Sequence, residues 1–202
     1  MPKTLLAAAA ALAIAATPAA AADKLTVLLD WFVNPDHAPL IIAEEGGYFE
    51  RHGLDVELIA PADPSAPPRL VAAGQGDIAI TYQPDLMLHL NEGLPLVRFG
   101  TLVETPLNAL IVLEDGPVKE LADLKGKTIG YSVASIQNAF LDEMLKSAGI
   151  TSDDVTLVNV NFNLVSALLS GQVDAAIDGY RNFELTQLEI EGRPGVAFYL
   201  EE

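Results

Sequence analysis

The chain has 202 residues, half of them hydrophobic, with 11 basic against 28 acidic side chains, a net charge of −17 and no cysteine. Such a charge argues against nucleic acid or an anionic membrane surface as partner. The lack of cysteine excludes structural disulfides, thiolate metal sites and a lipid anchor at an export cleavage site.

In chain order, residues 1–22 read as a secretory signal peptide. Lys3 supplies the positive start, Leu5 to Ala16 the apolar run, and Pro18 to Ala22 the small-residue region, with cleavage expected between Ala22 and Asp23. The run is too short and too rich in alanine for a membrane span. A periplasmic location without membrane insertion is the expectation.

Beyond residue 22, short apolar strands alternate with helical segments. Strands are expected at Leu25–Leu29, Val56–Ile59, Ile78–Tyr82, Leu96–Leu102, Ala109–Leu113, Thr128–Tyr131, Val155–Val160, Ala175–Asp178 and Val196–Leu200. Helices are expected near Pro39–Glu45, Pro68–Ala73, Pro84–Asn91, Ser135–Ala148, Asn163–Ser170 and Arg181–Glu191. This alternation implies βαβ crossovers, an α/β fold and largely parallel sheets. The proline-rich stretch Pro61–Pro68 reads as a stiff loop, because the alternation continues on both sides.

The first strand empties into LLDWFVNPDHAP, Leu28 to Pro39. A buried strand that ends in a polar, aromatic, proline-stiffened loop before a helix is where α/β proteins hold small ligands. Trp31, the sole tryptophan, is either a wall of such a site or a packing residue at the sheet edge.

Two segments echo each other. Leu70 to Ile80 reads LVAAGQGDIAI, and Ala167 to Ile177 reads ALLSGQVDAAI. Each reads as a helix end, a glycine cap, a turn and an apolar strand, followed by Tyr82 or Tyr180. A second echo pairs Trp31 after the first strand with Tyr131 after Thr128–Ile129. The expectation is two similar lobes, residues 23–103 and 104–202, with aromatic strand ends facing a cleft. Chance similarity between two common helix–turn–strand units is the alternative.

Three lookalikes are set aside. Gly74-Gln-Gly-Asp precedes a strand, so it offers no helix N-terminus to a pyrophosphate. Lys125-Gly-Lys-Thr128 lacks the upstream glycine of a phosphate loop and also leads into a strand. His37, His52 and His89 have no metal-ligand spacing, and no nucleophile elbow or HExxH motif is present. His52 and His89 read as solvated, whereas His37 has neighbours that could give it a task.

The segments DWFVNPDHAPLIIAEEGGYFERHGLDVELI, LVAAGQGDIAITYQPDL, DLKGKTIGYSVAS and SGQVDAAIDGYRNFE together resemble one family across nearly the whole chain. It is the periplasmic solute-binding branch for the pyrimidine precursor of thiamine, related to nitrate, sulfonate and taurine binders. The resemblance implies a type II binding-protein fold whose two lobes close on a ligand. It also implies a monomer, without cofactor or catalysis, that delivers its ligand to an ABC permease and its ATPase. In such proteins the chain crosses back to complete lobe one, and Tyr199–Glu202 lies about where that return would begin, so lobe one is expected to be incomplete.

The same family resembles a eukaryotic pyrimidine synthase that uses pyridoxal phosphate. Its Schiff-base lysine and donor histidine correspond here to Thr81 and Asp85. Threonine forms no imine and aspartate has no ring nitrogens to give. The resemblance therefore implies a binder. An aminopyrimidine needs a stacking face and polar groups that read its amine and ring-nitrogen edge. Trp31, Tyr82 and Tyr180 are the candidate walls. Asn34, Asn182 and Glu184 are candidate edge readers, with Asp36 and His37 as supporting polar groups. Glu184 as a plain exposed helix residue is the alternative. A nitrate or sulfonate ligand would want cationic donors, and Arg181 is the sole basic residue near the expected cleft.

Overall fold

The computed structural model describes residues 21–134 and 140–199. The expected signal peptide falls almost wholly outside these residues. Among them, no helix is long and apolar enough to cross a membrane.

Strand β1, Asp23–Leu28, runs into the loop at Trp31 and a 3-10 turn at Pro35–His37. Helix α1, Ala38–Glu45, follows with Pro39 in its first turn, where a missing N–H costs no helical bond. A short helix α2, Tyr48–Arg51, precedes strand β2, Leu54–Ile59. Helix α3, Pro67–Ala72, and the two-residue strand β3, Ile78–Ala79, complete a parallel sheet in the order β2-β1-β3. Helix α4, Gln83–Asn91, comes next.

The second sheet holds β4, Asn108–Leu113; β5, Thr128–Tyr131; β6, Thr156–Asn159; β7, Ala175–Tyr180; and β8, Gly195–Phe198. Their order is β6-β5-β7-β4-β8. Strand β5 is parallel to β6 and β7, but β4 is antiparallel to both β7 and β8. The sheet is therefore mixed, with β4 running against the other four strands. Helices α5, Asp142–Ser147; α6, Leu164–Ser170; and α7, Glu184–Ile190, cover it.

Strand β4 shows how this sheet is held. Ala109, Ile111 and Leu113 enter one apolar cluster with Leu164 and Leu168 of α6 and Leu188 of α7. Leu110 and Val112 enter the opposite cluster with Met144 and Leu145 of α5. The period of two sends alternate side chains into two cores, so a strand buried on both faces reads as an unbroken apolar run. Each fully buried Leu or Ile here contributes about 1.5–3 kcal/mol relative to exposure. The first sheet is covered less. Helices α1 and α2 bury no residue fully, and Ile42, Met87, Val97 and Phe99 are exposed.

Expectation and structure differ at several places. Leu96–Leu102 forms no strand, and Val97 and Phe99 point to solvent. Strand β3 stops at Ala79, because α4 begins at Gln83 with Tyr82 as its N-cap. The helix expected over Ser135–Ala148 is regular over Asp142–Ser147, and residues 135–139 lie outside the described chain.

The internal echo is structural. The backbone N–H of Thr26 in β1 donates to Asp77 at 2.7 Å, and that of Thr128 in β5 donates to Asp174 at 2.9 Å. Gly74 and Gly171, before these aspartates, both sit in the left-handed region, φ 74 and 73, which favours glycine. Both units thus lock a helix–turn–strand onto the central parallel strand in the same way. The shared register also corrects the second echo. Trp31 lies five residues after Thr26, so its counterpart after Thr128 is Val133, whereas Tyr131 packs against the core on the α5 side.

Candidate functional site

The strand ends of the two sheets meet at a cleft, its mouth open to solvent, lined by Trp31, Asn34, Tyr82, Val133, Asp178, Tyr180, Phe183 and Glu184. Five expected residues, Trp31, Asn34, Tyr82, Tyr180 and Glu184, come together there. His37 and Asn182 are not part of the lining. Val133, Asp178 and Phe183 were not expected.

Asp30 organises the first-sheet side. Its Oδ1 lies 2.8 Å from Nε2 of His37, and its Oδ2 accepts the hydroxyl of Tyr82 at 2.8 Å. Nδ1 of His37 accepts the backbone N–H of Asn34 at 3.2 Å, so the ring proton belongs on Nε2, which donates to Asp30. His37 is 1 % exposed and stands behind the cleft as a strut. The loop tightens further through Asn34, whose Oδ1 accepts the N–H of Asp36 at 2.9 Å and whose Nδ2 donates to the carbonyl of Phe32. Asn34 thus caps its own turn while one face borders the cleft.

Trp31 does two jobs. It lines the cleft, and it is 6 % exposed in an apolar cluster with Ala109, Ile111 and Leu164 of the second-sheet side. Its ring meets Phe162 edge-on at 4.7 Å, and its indole Nε1 has no hydrogen-bond partner among the described residues. Phe32 reaches Phe183 at 5.7 Å and Tyr82 meets Tyr180 edge-on at 6.1 Å. At the exposed rim, Nδ2 of Asn182 donates to Oδ1 of Asp36 at 2.6 Å. These contacts join the two sheets, an arrangement that encloses whatever occupies the cleft.

On the second-sheet side, strand β7 carries a bulge. Ala109 pairs with Gly179 but Ile111 with Ala176, so Ile177 and Asp178 oppose a single residue. Asp178 takes φ 75, and bulges of this kind re-aim side chains beside sites. Its Oδ2 accepts the backbone N–H of Ser132 and Val133 at 2.8 and 2.9 Å. Gly179 is required by close approach, since a Cβ there would meet Ile111 at 2.4 Å. Glu184 opens α7, is 5 % exposed, and accepts the N–H of Tyr180 at 2.6 Å through Oε2. It is not a plain exposed helix residue.

The cleft is acidic. Burial pushes the Glu184 carboxyl up to about 7 and the Asp178 carboxyl up to about 6, against the pull of their backbone donors. Burial also holds both tyrosines well above the usual phenol range, with the Asp30 carboxylate adding to the effect, so each remains a hydrogen-bond donor. Arg181 lies with its guanidinium 4.0 Å over the ring of Tyr199.

Outside the cleft, Thr81 donates to Asp85 at 2.7 Å, and His89 is buried 3.4 Å from the same carboxylate. His89 is therefore not solvated as expected. Its ring fills the turn of α4 that the Asp85 carboxylate occupies.

Two α/β units with aromatic and carboxylate strand ends around a shared cleft make up the fold of the two-lobed solute-binding proteins. Solved structures share the fold: the periplasmic aliphatic sulphonate-binding protein of Escherichia coli at TM-score 0.66 and 19 % identity, covering 87 % of this chain and 59 % of that one. The alkanesulfonate-binding protein of Xanthomonas axonopodis pv. citri gives 0.69 and 18 %, covering 87 % and 60 %. The chain belongs to the NMT1/THI5-like family, whose profile matches residues 34–202.

Within that family it is 52 % identical to a protein of Haemophilus influenzae named for thiamine biosynthesis, over 92 % of this chain and 59 % of the relative. It is 37 % identical to the formylaminopyrimidine-binding protein of Halalkalibacterium halodurans, over 85 % and 52 %. It is 34 % identical to the 4-amino-5-hydroxymethyl-2-methylpyrimidine phosphate synthase of Uromyces fabae, over 83 % and 49 %. The chain thus spans between about half and three-fifths of these relatives' lengths.

Proposed function

We propose that this chain captures an aminopyrimidine precursor of thiamine as the solute-binding component of an ABC importer. In this reading it is exported to the periplasm by residues 1–22. Lobes of residues 23–103 and 104–202 close on the ligand, and a membrane permease with its ATPase receives it. The observation that carries the reading is the pairing of aromatic walls with buried carboxyls in one cleft. Trp31, Tyr82 and Tyr180 offer faces or edges to a flat ring, and Glu184 offers acceptors to its amine. The name of the Halalkalibacterium halodurans relative supports the same class of ligand.

Two rivals fit less well. A sulfonate or nitrate would bring negative charge against Asp178 and Glu184, both nearly buried. A synthase would need groups that Thr81 and Asp85 do not supply, and these two side chains are engaged with each other. Calorimetric titration with aminopyrimidines, alkanesulfonates and pyridoxal phosphate separates the three. Saturable binding of the pyrimidines alone is the expected result. Preferential binding of a sulfonate, or imine formation with pyridoxal phosphate, would overturn it.

A further inference from the structure

Asp178 is assigned no contact with the ligand in the reading above. The bulge in β7 sets it apart, it is 7 % exposed, and its Oδ2 is committed to the N–H groups of Ser132 and Val133. Its Oδ1 is buried and has no hydrogen-bond partner among the described residues, and Asp178 itself lines the cleft. A buried carboxylate oxygen left without a donor costs more than the bond would contribute. Glu184 lines the same cleft and lies within electrostatic reach, where the Asp178 carboxylate adds to the burial that raises the Glu184 carboxyl. An ionised carboxylate can only accept hydrogen bonds.

We propose that Asp178 and Glu184 act as a paired carboxyl reader of an amidine edge, the ring nitrogen and adjacent exocyclic amine of an aminopyrimidine, and that capture holds one proton between edge and pair. This deepens the aminopyrimidine reading and rests on it. The exocyclic amine donates to one carboxylate oxygen unaided. The ring nitrogen is an acceptor, as is the oxygen facing it, so the two repel unless a proton lies between them. That proton sits on the ring nitrogen, giving an amidinium against a carboxylate, or on the carboxyl, which then donates O–H to the nitrogen. The count is the same. Solvent supplies it when both partners start deprotonated.

Burial already favours protonated carboxyls here, Glu184 near 7 and Asp178 near 6. From the first-sheet side the cleft is faced or backed by Asp30, Asp36, His37 and Tyr82, and from the second by Tyr180 and Arg181. The carboxylates among them favour an added proton, and Arg181 opposes it.

Asp178→Asn is the informative variant. Asparagine tolerates the left-handed backbone, and its amide oxygen can keep the Ser132 and Val133 bonds. That places an N–H donor where Oδ1 was an acceptor. The measurement is calorimetric titration with 4-amino-5-hydroxymethyl-2-methylpyrimidine, in phosphate and in Tris, from pH 6 to pH 8. Binding near pH 8 should take up close to one proton, seen as a buffer-dependent heat. Affinity should fall toward tenfold per pH unit above neutrality. Asp178→Asn should bind with the pH dependence and the proton uptake flattened, because its amide N–H needs no added proton to act as a donor, and with a cooperative melt retained. If that variant does not fold, Glu184→Gln serves with the same readout. Wild-type binding with buffer-independent heat and flat affinity would overturn the proton-linked reader while leaving the aminopyrimidine reading intact. Absence of pyrimidine binding at every pH would remove both.

Discussion

The hydroxyl of Tyr82 donates to Oδ2 of Asp30 across 2.8 Å, tying the residue that opens α4 to the loop after β1, 52 positions away in sequence. The other oxygen of Asp30 holds His37. One buried carboxylate therefore orients a cleft wall and stiffens the loop that carries Trp31 and Asn34.

Removing that carboxylate leaves two buried donors without an acceptor. Asp30→Ala should destabilise the fold by about 3 kcal/mol, read as a lower midpoint in urea unfolding. Asp30→Asn should cost less, since its carbonyl oxygen still accepts from one of the two. An unchanged midpoint in Asp30→Ala would mean the network contributes nothing.

Trp31 faces the cleft and also fills an apolar cluster, so its two effects must be separated. Trp31→Ala should lower stability by about 3–5 kcal/mol and weaken pyrimidine binding by a further 1–3 kcal/mol, roughly tenfold to a hundredfold. Trp31→Phe should retain most of the affinity, because it keeps a flat apolar face. Thermal melts and titrations of the same preparations check both parts. Affinity per folded molecule unchanged in Trp31→Ala would leave packing as its sole role.

Unliganded stability should depend on pH through Glu184 and Asp178. Both carboxyls are raised above their unfolded range by burial, so the folded state holds more protons than the unfolded state between pH about 4 and about 7. Their contribution is complete below that window and is lost as pH rises through about 6 and about 7. Unfolding free energy should therefore be higher at pH 5 than at pH 8, by on the order of 2 kcal/mol, and Glu184→Gln should flatten the difference. Asp123 and Asp154, held below the usual carboxylate range by backbone N–H donors, act in the opposite sense and only at lower pH.

The rim contact between Asn182 and Asp36 joins the two lobes where solvent reaches it. Asn182→Ala should change stability by less than about 1 kcal/mol but release ligand severalfold faster, because it loosens the closed arrangement. Stopped-flow dissociation tests this, and an unchanged rate would assign the contact to the surface alone.

The features that a sequence carries are the local ones. The alternation of strands and helices, the Asp77/Asp174 echo and the aromatic strand ends all rest on period and spacing, and the two parallel units carry them. Strand direction is not local. Nothing in NALIVL tells that β4 runs antiparallel, because a strand buried on both faces looks the same either way. Leu96–Leu102 has the composition of a strand without a neighbour to pair with. Asp178 looked like the tail of a strand because a bulge depends on the pairing partner. His89 looked exposed because its partner Asp85 is one helical turn away on the buried face.

In the proposed reading the cleft takes a flat aminopyrimidine between aromatic walls and buried carboxyls. Trp31 is the sole tryptophan, so its fluorescence reports on the cleft without competing signals. The direct measurement is a fluorescence titration of the protein with 4-amino-5-hydroxymethyl-2-methylpyrimidine and, separately, with an alkanesulfonate. A saturable change with the pyrimidine and none with the sulfonate is the predicted result. Saturation by the sulfonate with no response to the pyrimidine would contradict it.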